Sequence, residues 1–199
     1  MSLLLLETIK CIDGQLCNLE YHQARFDLAR KNIFSVSEKI VLNERIKIPD
    51  EFQSGLFRCR IIYSEKIKKI EFLPHQYRKI KTLKLVENDT VDYQFKYYDR
   101  TKLNALFEKR KCCDDILIVK NGYITDSYTA NPIFFDNKKW WTPDTPLLPG
   151  TQRAKLISER QISVCRITPE DLSQYTKIGL INALQDMNEM PVIDISNVF

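Results

Sequence analysis

The sequence predicts a mixed α/β chain in two subdomains, on three observations. Asp13-Gly14 sits between two short apolar runs, as in a hairpin whose tight turn needs positive φ angles. Two runs of strand-like residues, 56–63 and 67–73, follow one another closely, and residues 74–77 then break the pattern with a proline. Beyond that break, helix-like and strand-like stretches alternate from residue 101 onward.

The elements follow in order. Residues 3–11 form an apolar first strand, and the Asp-Gly turn returns the chain into a short second one. Residues 21–32 carry helical spacing, with Ala24, Leu28 and Ala29 on one side and Asn18 or Glu20 as the cap. Residues 37–48 suit a short helix or a strand, and Pro49-Asp50 closes them. In 56–63, Phe57, Cys59 and Ile61 alternate with Arg58, Arg60 and Ile62, and SEKIK leaves room for little more than a turn before 67–73. Residues 79–86 alternate Lys79, Lys81 and Lys84 with Ile80, Leu83 and Leu85, the pattern of a half-exposed strand with a solvated lysine face.

A helix over 101–112 turns Leu103, Leu106 and Phe107 inward, and 116–119 is a buried strand ended by an Asn121-Gly122 turn. Residues 123–125 and 132–136 supply further strands. Trp140-Trp141-Thr142-Pro143 leads into a proline-rich loop that ends at Gly150, and a helix runs over 152–159. Strands at 164–167 and 178–181, a short helix at 169–173 and an extended segment at 191–195 complete the chain.

Composition narrows the function classes. With 44% hydrophobic residues in 199, the chain can fill a real core without staples. Its six cysteines make no C-x-x-C pair and no zinc-like Cys/His spacing, so reduced thiols and a cytoplasmic setting are expected. MSLLLL has four leucines ended by Glu7 and no basic start, which argues against a signal peptide and against a membrane span. The net charge of +4 is dispersed among 26 acidic residues and points to no nucleic-acid partner.

Three features can carry chemistry. Lys96 lies among Phe95, Tyr97 and Tyr98; desolvated, its amine would be a nucleophile, and exposed, it would be an ordinary lysine beside an aromatic face. Leu148-Pro149-Gly150-Thr151-Gln152-Arg153 enters a helix, where backbone amides suit a phosphate monoester and Thr151 equally suits a cap. His22-x-x-Arg25 spans one helical turn, and Arg25 could fork onto a phosphate or form a surface salt bridge.

These features recur in order with Glu7-Thr8 before Asp13-Gly14, Ile124-Thr125-Asp126 before Ala130-Asn131, Thr142-Pro143, and Asn182-Ala183-Leu184 before Met190-Pro191-Val192. The ordered set resembles the class IV aminotransferases, the fold-type IV pyridoxal-phosphate enzymes, over nearly the whole chain. The resemblance implies a small N-terminal α+β domain, 1–76, and a larger C-terminal α/β domain, 77–199, with a barrel-like sheet, in a homodimer. It implies that Lys96 bonds the cofactor covalently and shuttles the substrate proton, and that Arg25, Gly150, Thr151, Gln152, Asn182, Ala183 and Leu184 surround the cofactor phosphate. Asp126 stands where the family usually has glutamate; a carboxylate there keeps the pyridine nitrogen protonated.

The departures are Asp126 itself, MSLLLL in place of a glycine-rich lead, a turn in place of the substrate-covering loop, and a longer QDMNEM segment. All but the first bear on substrate. Asn-Ala-Leu ahead of Met-Pro-Val resembles the family's lyases, which implies an aminodeoxychorismate lyase making 4-aminobenzoate, a folate precursor, and pyruvate. An amino-acid aminotransferase of branched-chain or D-amino-acid type is the alternative, and a non-catalytic binding protein of the same fold is a third. Arg58, Arg60 and Arg153 are the cations available to substrate carboxylates. The expected partner is a small molecule, with no metal and no membrane.

Overall fold

The computed structural model describes residues 3–199. Met1 and Ser2, at the head of the leucine run, lie outside the described residues. The chain divides into two compact units: one takes the chain to Gln76 and adds Phe95–Asp99, the other holds Tyr77–Gln94 and Arg100–Phe199. A single cut after residue 76 would assign Phe95–Asp99 to the second unit. Its backbone is instead tied to the first strand, with Leu6 N donating to Lys96 O and Tyr98 N to Leu4 O, each at 2.9 Å.

The first unit contains β1 (Leu5–Ile12), β2 (Gln15–Leu16), α1 (Leu19–Phe34), α2 (Leu42–Arg45), β3 (Leu56–Tyr63) and β4 (Ile67–Pro74). Asp13 (φ 47°) and Gly14 (φ 72°) make the expected hairpin turn. The sheet order is β2-β1-β3-β4, antiparallel throughout. Leu5, Ile9, Cys59 and Ile61 are wholly buried on one face with Phe26 and Ala29 of α1. Strand alternation sends Arg58 and Arg60 to the other face.

The helix buries a different side from the expected one: Ala24 and Leu28 are exposed, while His22, Phe26, Ala29 and Arg30 are buried. The apolar spacing misleads because two polar side chains find partners inside. Arg30 donates to Glu65 O at 2.9 Å and Glu38 O at 2.5 Å and lies over the Phe26 ring. Asn18 occupies the N-cap position with φ 54° and makes no side-chain cap bond.

The second unit holds two sheets. β5 (Leu83–Glu87), α3 (Thr101–Phe107), β6 (Asp115–Lys120) and β7 (Tyr123–Ser127) give a three-stranded sheet, in which β5 and β6 run parallel and α3 lies between them in sequence. Asn121 (φ 51°) and Gly122 (φ 79°) turn β6 into antiparallel β7. The other sheet comprises β8 (Asn131–Phe135), β9 (Trp140–Pro143), β10 (Ile162–Cys165), β11 (Lys177–Ile181) and β12 (Val192–Asp194), ordered β10-β9-β8-β11-β12, with α4 (Thr151–Ser158) between parallel β9 and β10 in sequence.

Strand β5 begins later than the lysine alternation suggests, because Asp114 Oδ2 takes Lys81 N at 2.8 Å and Thr82 N at 3.1 Å away from any ladder. Phe107 stacks on Tyr128 at 4.2 Å rather than entering the core. Among the described residues no helix is long and apolar enough to cross a membrane, and no cluster of His, Cys, Asp or Glu could hold a metal.

Candidate active site

In the first unit, β1 and α1 place a carboxylate, an imidazole and a guanidinium together. Glu7 lies among Leu5, Ile9 and Cys11 on the otherwise apolar face of β1 and is fully buried. A carboxylate there needs partners. Arg25 Nε donates to Glu7 Oε1 at 2.9 Å and Nη2 to Oε2 at 2.6 Å, a two-pronged pair. His22 Nδ1 lies 2.6 Å from Glu7 Oε2.

Burial alone would raise the Glu7 pKa, but the Arg25 charge and the hydrogen bonds from His22 and Arg25 outweigh it and hold it at about 2. Burial lowers the His22 pKa against the pull of Glu7, so His22 is neutral at pH 7 and its Nδ1 proton is assigned to the bond with Glu7. The sequence pattern by itself gives neither Glu7 nor His22 a role. The signal was available: an acidic residue on the buried parity of LLETI calls for a cation.

Lys96 is half-buried, and its backbone is fixed to β1 by the Leu6 bond and the Leu5–Tyr97 bridge. It sits in an irregular segment and not in a regular strand. Phe95 and Tyr97 on either side pack against the core of this unit, with their rings edge to face at 6.4 Å. The lysine is near enough to His22 that its charge helps to lower the imidazole pKa.

In the second unit, β7 delivers Asp126 into a buried position. Its Oδ1 accepts from Asn131 Nδ2 at 2.9 Å and its Oδ2 from Leu148 N at 2.9 Å. Burial raises its pKa to about 7, opposed by those bonds and by the Arg153 charge. A carboxylate offers about four lone-pair sites, so two bonds leave capacity for another donor.

Because folded Asp126 holds its proton more tightly than the ordinary 3.8, its contribution to stability is full below that pH and is lost as pH rises through about 7. Asp126→Asn is therefore expected to gain melting temperature relative to wild type as pH is raised from about 4 to about 8. A difference that does not change with pH would contradict the assignment.

Gly150 is the N-cap of α4 and carries no side-chain cap, and Thr151 and Gln152 in the first turn are buried. The amides of such a first turn have no partner within the helix and point along its axis. Asn182 closes a second turn: its Oδ1 accepts from Leu184 N at 2.9 Å, and its backbone exchanges bonds with Gln185 at 3.1 Å. Ala183 lies half-buried within that turn. Met190, the last residue of the QDMNEM segment, packs on Gly179 of β11, where an added Cβ would lie 2.5 Å from its Sδ.

The three candidate substrate cations differ in their commitments. Arg153 gives Nε to Thr142 Oγ1 at 3.1 Å and Nη2 to Pro143 O at 2.8 Å, which ties α4 to β9. Arg60 pairs with Glu71 at 2.7 Å and lies 5.9 Å from the Tyr98 ring centroid. Arg58 is half-buried, and its Nε is buried with no hydrogen-bond partner.

Taken by chemistry, each unit by itself offers groups that suit part of a phosphorylated pyridine aldehyde. The first unit offers a primary amine and a held guanidinium; the second offers a buried carboxylate able to accept a ring N–H, and an uncapped helix start that suits a phosphate.

Comparison with known proteins agrees. The family model described as amino-transferase class IV matches residues 4–195. An uncharacterized protein of Haemophilus influenzae is 38% identical over 185 residues, covering 92% of this chain and 98% of that one. A crystal structure from Haemophilus somnus, called a candidate 4-amino-4-deoxychorismate lyase, matches with TM-score 0.88 and 37% identity over 94% of this chain and 99% of that one. The PLP-bound form of a hypothetical aminotransferase from Mycobacterium tuberculosis matches with TM-score 0.76 and 16% identity, over 96% and 80% respectively.

Proposed function

This chain belongs to the amino-transferase class IV family of pyridoxal-phosphate enzymes, and on that premise we propose that it is a 4-amino-4-deoxychorismate lyase, releasing 4-aminobenzoate and pyruvate. The observation that carries the reading is the match to the Haemophilus somnus protein of that candidate activity, end to end and at 37% identity. The Asn182-Ala183-Leu184 turn, closed on itself by the Asn182 side chain, supports it.

Pyridoxal phosphate, when bound, supplies an electron sink for a bond broken at the carbon bearing the substrate amine. Lys96 Nζ would be the group that holds the cofactor covalently in the resting enzyme. The same amine, when not bonded to the cofactor, would remove the proton from that carbon. Asp126, in its carboxylate form, would keep the ring nitrogen protonated. The enolpyruvyl group would leave with the electrons of its ring C–O bond and take up the proton that Lys96 removed, becoming pyruvate and leaving an aromatic ring, and that gain favours the elimination.

Arg25, aimed by Glu7, is the group of the first unit that would serve the phosphate, and the amides of Thr151 and Gln152, with Gly150 and the 182–184 turn, are the groups of the second unit that would serve it. Of the three cations, Arg58 suits a substrate carboxylate best, since Arg60 and Arg153 are engaged elsewhere. The reading carries a homodimeric, cytoplasmic enzyme of folate-precursor synthesis.

Purified protein loaded with pyridoxal phosphate and given aminodeoxychorismate alone is expected to release fluorescent 4-aminobenzoate. Turnover only when an amino donor and a 2-oxo acid are both present would replace the lyase with an aminotransferase. Absence of any cofactor-dependent turnover would favour a binding protein.

A further inference from the structure

We propose that Asn131 is the positioning residue for Asp126, linking its carboxylate to the 148–150 loop, and that position 150 is glycine to admit the Asn131 amide. The proposal rests on the reading of Asp126 as partner of the cofactor's ring nitrogen. Three observations within the second unit carry it.

First, the polar groups form a closed ring. Asn131 Nδ2 donates to Asp126 Oδ1 at 2.9 Å and to Leu148 O at 3.0 Å, and Leu148 N donates to Asp126 Oδ2 at 2.9 Å. Both Leu148 backbone groups and the Asn131 nitrogen are thus engaged, while each Asp126 oxygen takes one of these bonds and keeps lone-pair capacity for a further donor. A side-chain amide has two N–H donors, and here each has its own acceptor.

Second, the ring is built on rigid elements and shielded. Asn131 is 5% and Asp126 7% exposed. Asn131 opens β8 and is in register with Ile181 of β11, so its backbone is fixed by the sheet. Donors on two different oxygens prevent the carboxylate from rotating about its terminal bond.

Third, the loop is shaped around the amide. A Cβ on Gly150 would lie 2.1 Å from Asn131 Oδ1, far inside contact distance, although Gly150 has an ordinary φ of −68° that any residue could adopt. Glycine is needed there for space and not for backbone freedom. The same loop leads into the first turn of α4, so the ring couples the orientation of the carboxylate to the start of that helix.

A residue that merely staples the loop would change stability alone, whereas a residue that orients and solvates the carboxylate also sets its proton affinity. The test is therefore the titration of the Asp126 carboxyl by carbon NMR in the protein without cofactor. Asn131→Ala is expected to raise the midpoint by about one unit, a tenfold gain in proton affinity, because an ionised acceptor loses a donor. Gly150→Ala, which keeps every donor but displaces the amide, is expected to shift it the same way.

Asn131→Asp is nearly isosteric and serves if the alanine variant fails to fold; a second carboxylate at that spot raises the midpoint further. With pyridoxal phosphate added, the variants should lose affinity for it at higher pH than wild type and recover it on further alkalinisation. Midpoints unchanged in folded variants would overturn the proposal. If the carboxyl shifts as described but wild type binds no pyridoxal phosphate, the functional reading fails and the positioning role stands.

Discussion

Replacing Lys96 by alanine is expected to abolish the visible absorption that wild type shows with pyridoxal phosphate and to lower turnover by at least about 10²–10⁴-fold, the usual worth of one proton-transferring side chain. The loss should exceed that of any other single lysine. Lys96 is held through its own carbonyl, which accepts from Leu6 N, and through Tyr98 N, which donates to Leu4 O. Truncating the side chain leaves those bonds and the Phe95 and Tyr97 packing in place. The variant should thus melt close to wild type, which separates a chemical loss from a folding loss. A folded Lys96→Ala protein that keeps both the absorption and the turnover would remove the lysine from the mechanism.

Glu7→Gln is expected to be the most damaging substitution for stability. Breaking a buried ion pair from one side costs about 3–5 kcal/mol, because the remaining charge keeps its desolvation and loses its partner. Here the partner, Arg25, is 15% exposed and Glu7 not at all. The pH dependence has a definite sign. The folded pKa of about 2 lies below the ordinary 4.5, so Glu7 stabilises the fold above 4.5 and that contribution is lost as pH falls toward 2.

Urea melts at several pH values should therefore show a wild-type acid limb that Glu7→Gln lacks. Cofactor affinity should fall about ten- to a hundredfold in the same variant, since the guanidinium is no longer aimed. A variant with wild-type stability at neutral pH would show that the pair is dispensable.

Local rules made much of this legible. Both hairpin turns, Asp13-Gly14 and Asn121-Gly122, carry the positive φ angles that their residue types announce. The alternation in 56–63 placed Cys59 and Ile61 in the core and the arginines opposite. What the sequence hid depends on partners distant along the chain. Helix α1 buries His22 and Arg30 in place of Ala24 and Leu28 because Glu7 and the carbonyls of Glu38 and Glu65 receive them.

The late start of β5 depends on Asp114, more than thirty residues away along the chain. Strand β9 ends in proline, which masks it, although parallel pairing with β10 accommodates Trp140 to Pro143. The site followed the same division. Lys96, Arg25, Asp126 and the 148–152 loop stand out in the sequence as motif residues of the proposed site, whereas Glu7 and Asn131 stand out only through the bonds they make.

The claim on which the rest depends is that Lys96 carries the cofactor. Protein equilibrated with pyridoxal phosphate, reduced with borohydride and digested should show the added pyridoxyl-phosphate mass on one peptide, the one containing Lys96. The label on another lysine, or on none, would contradict it.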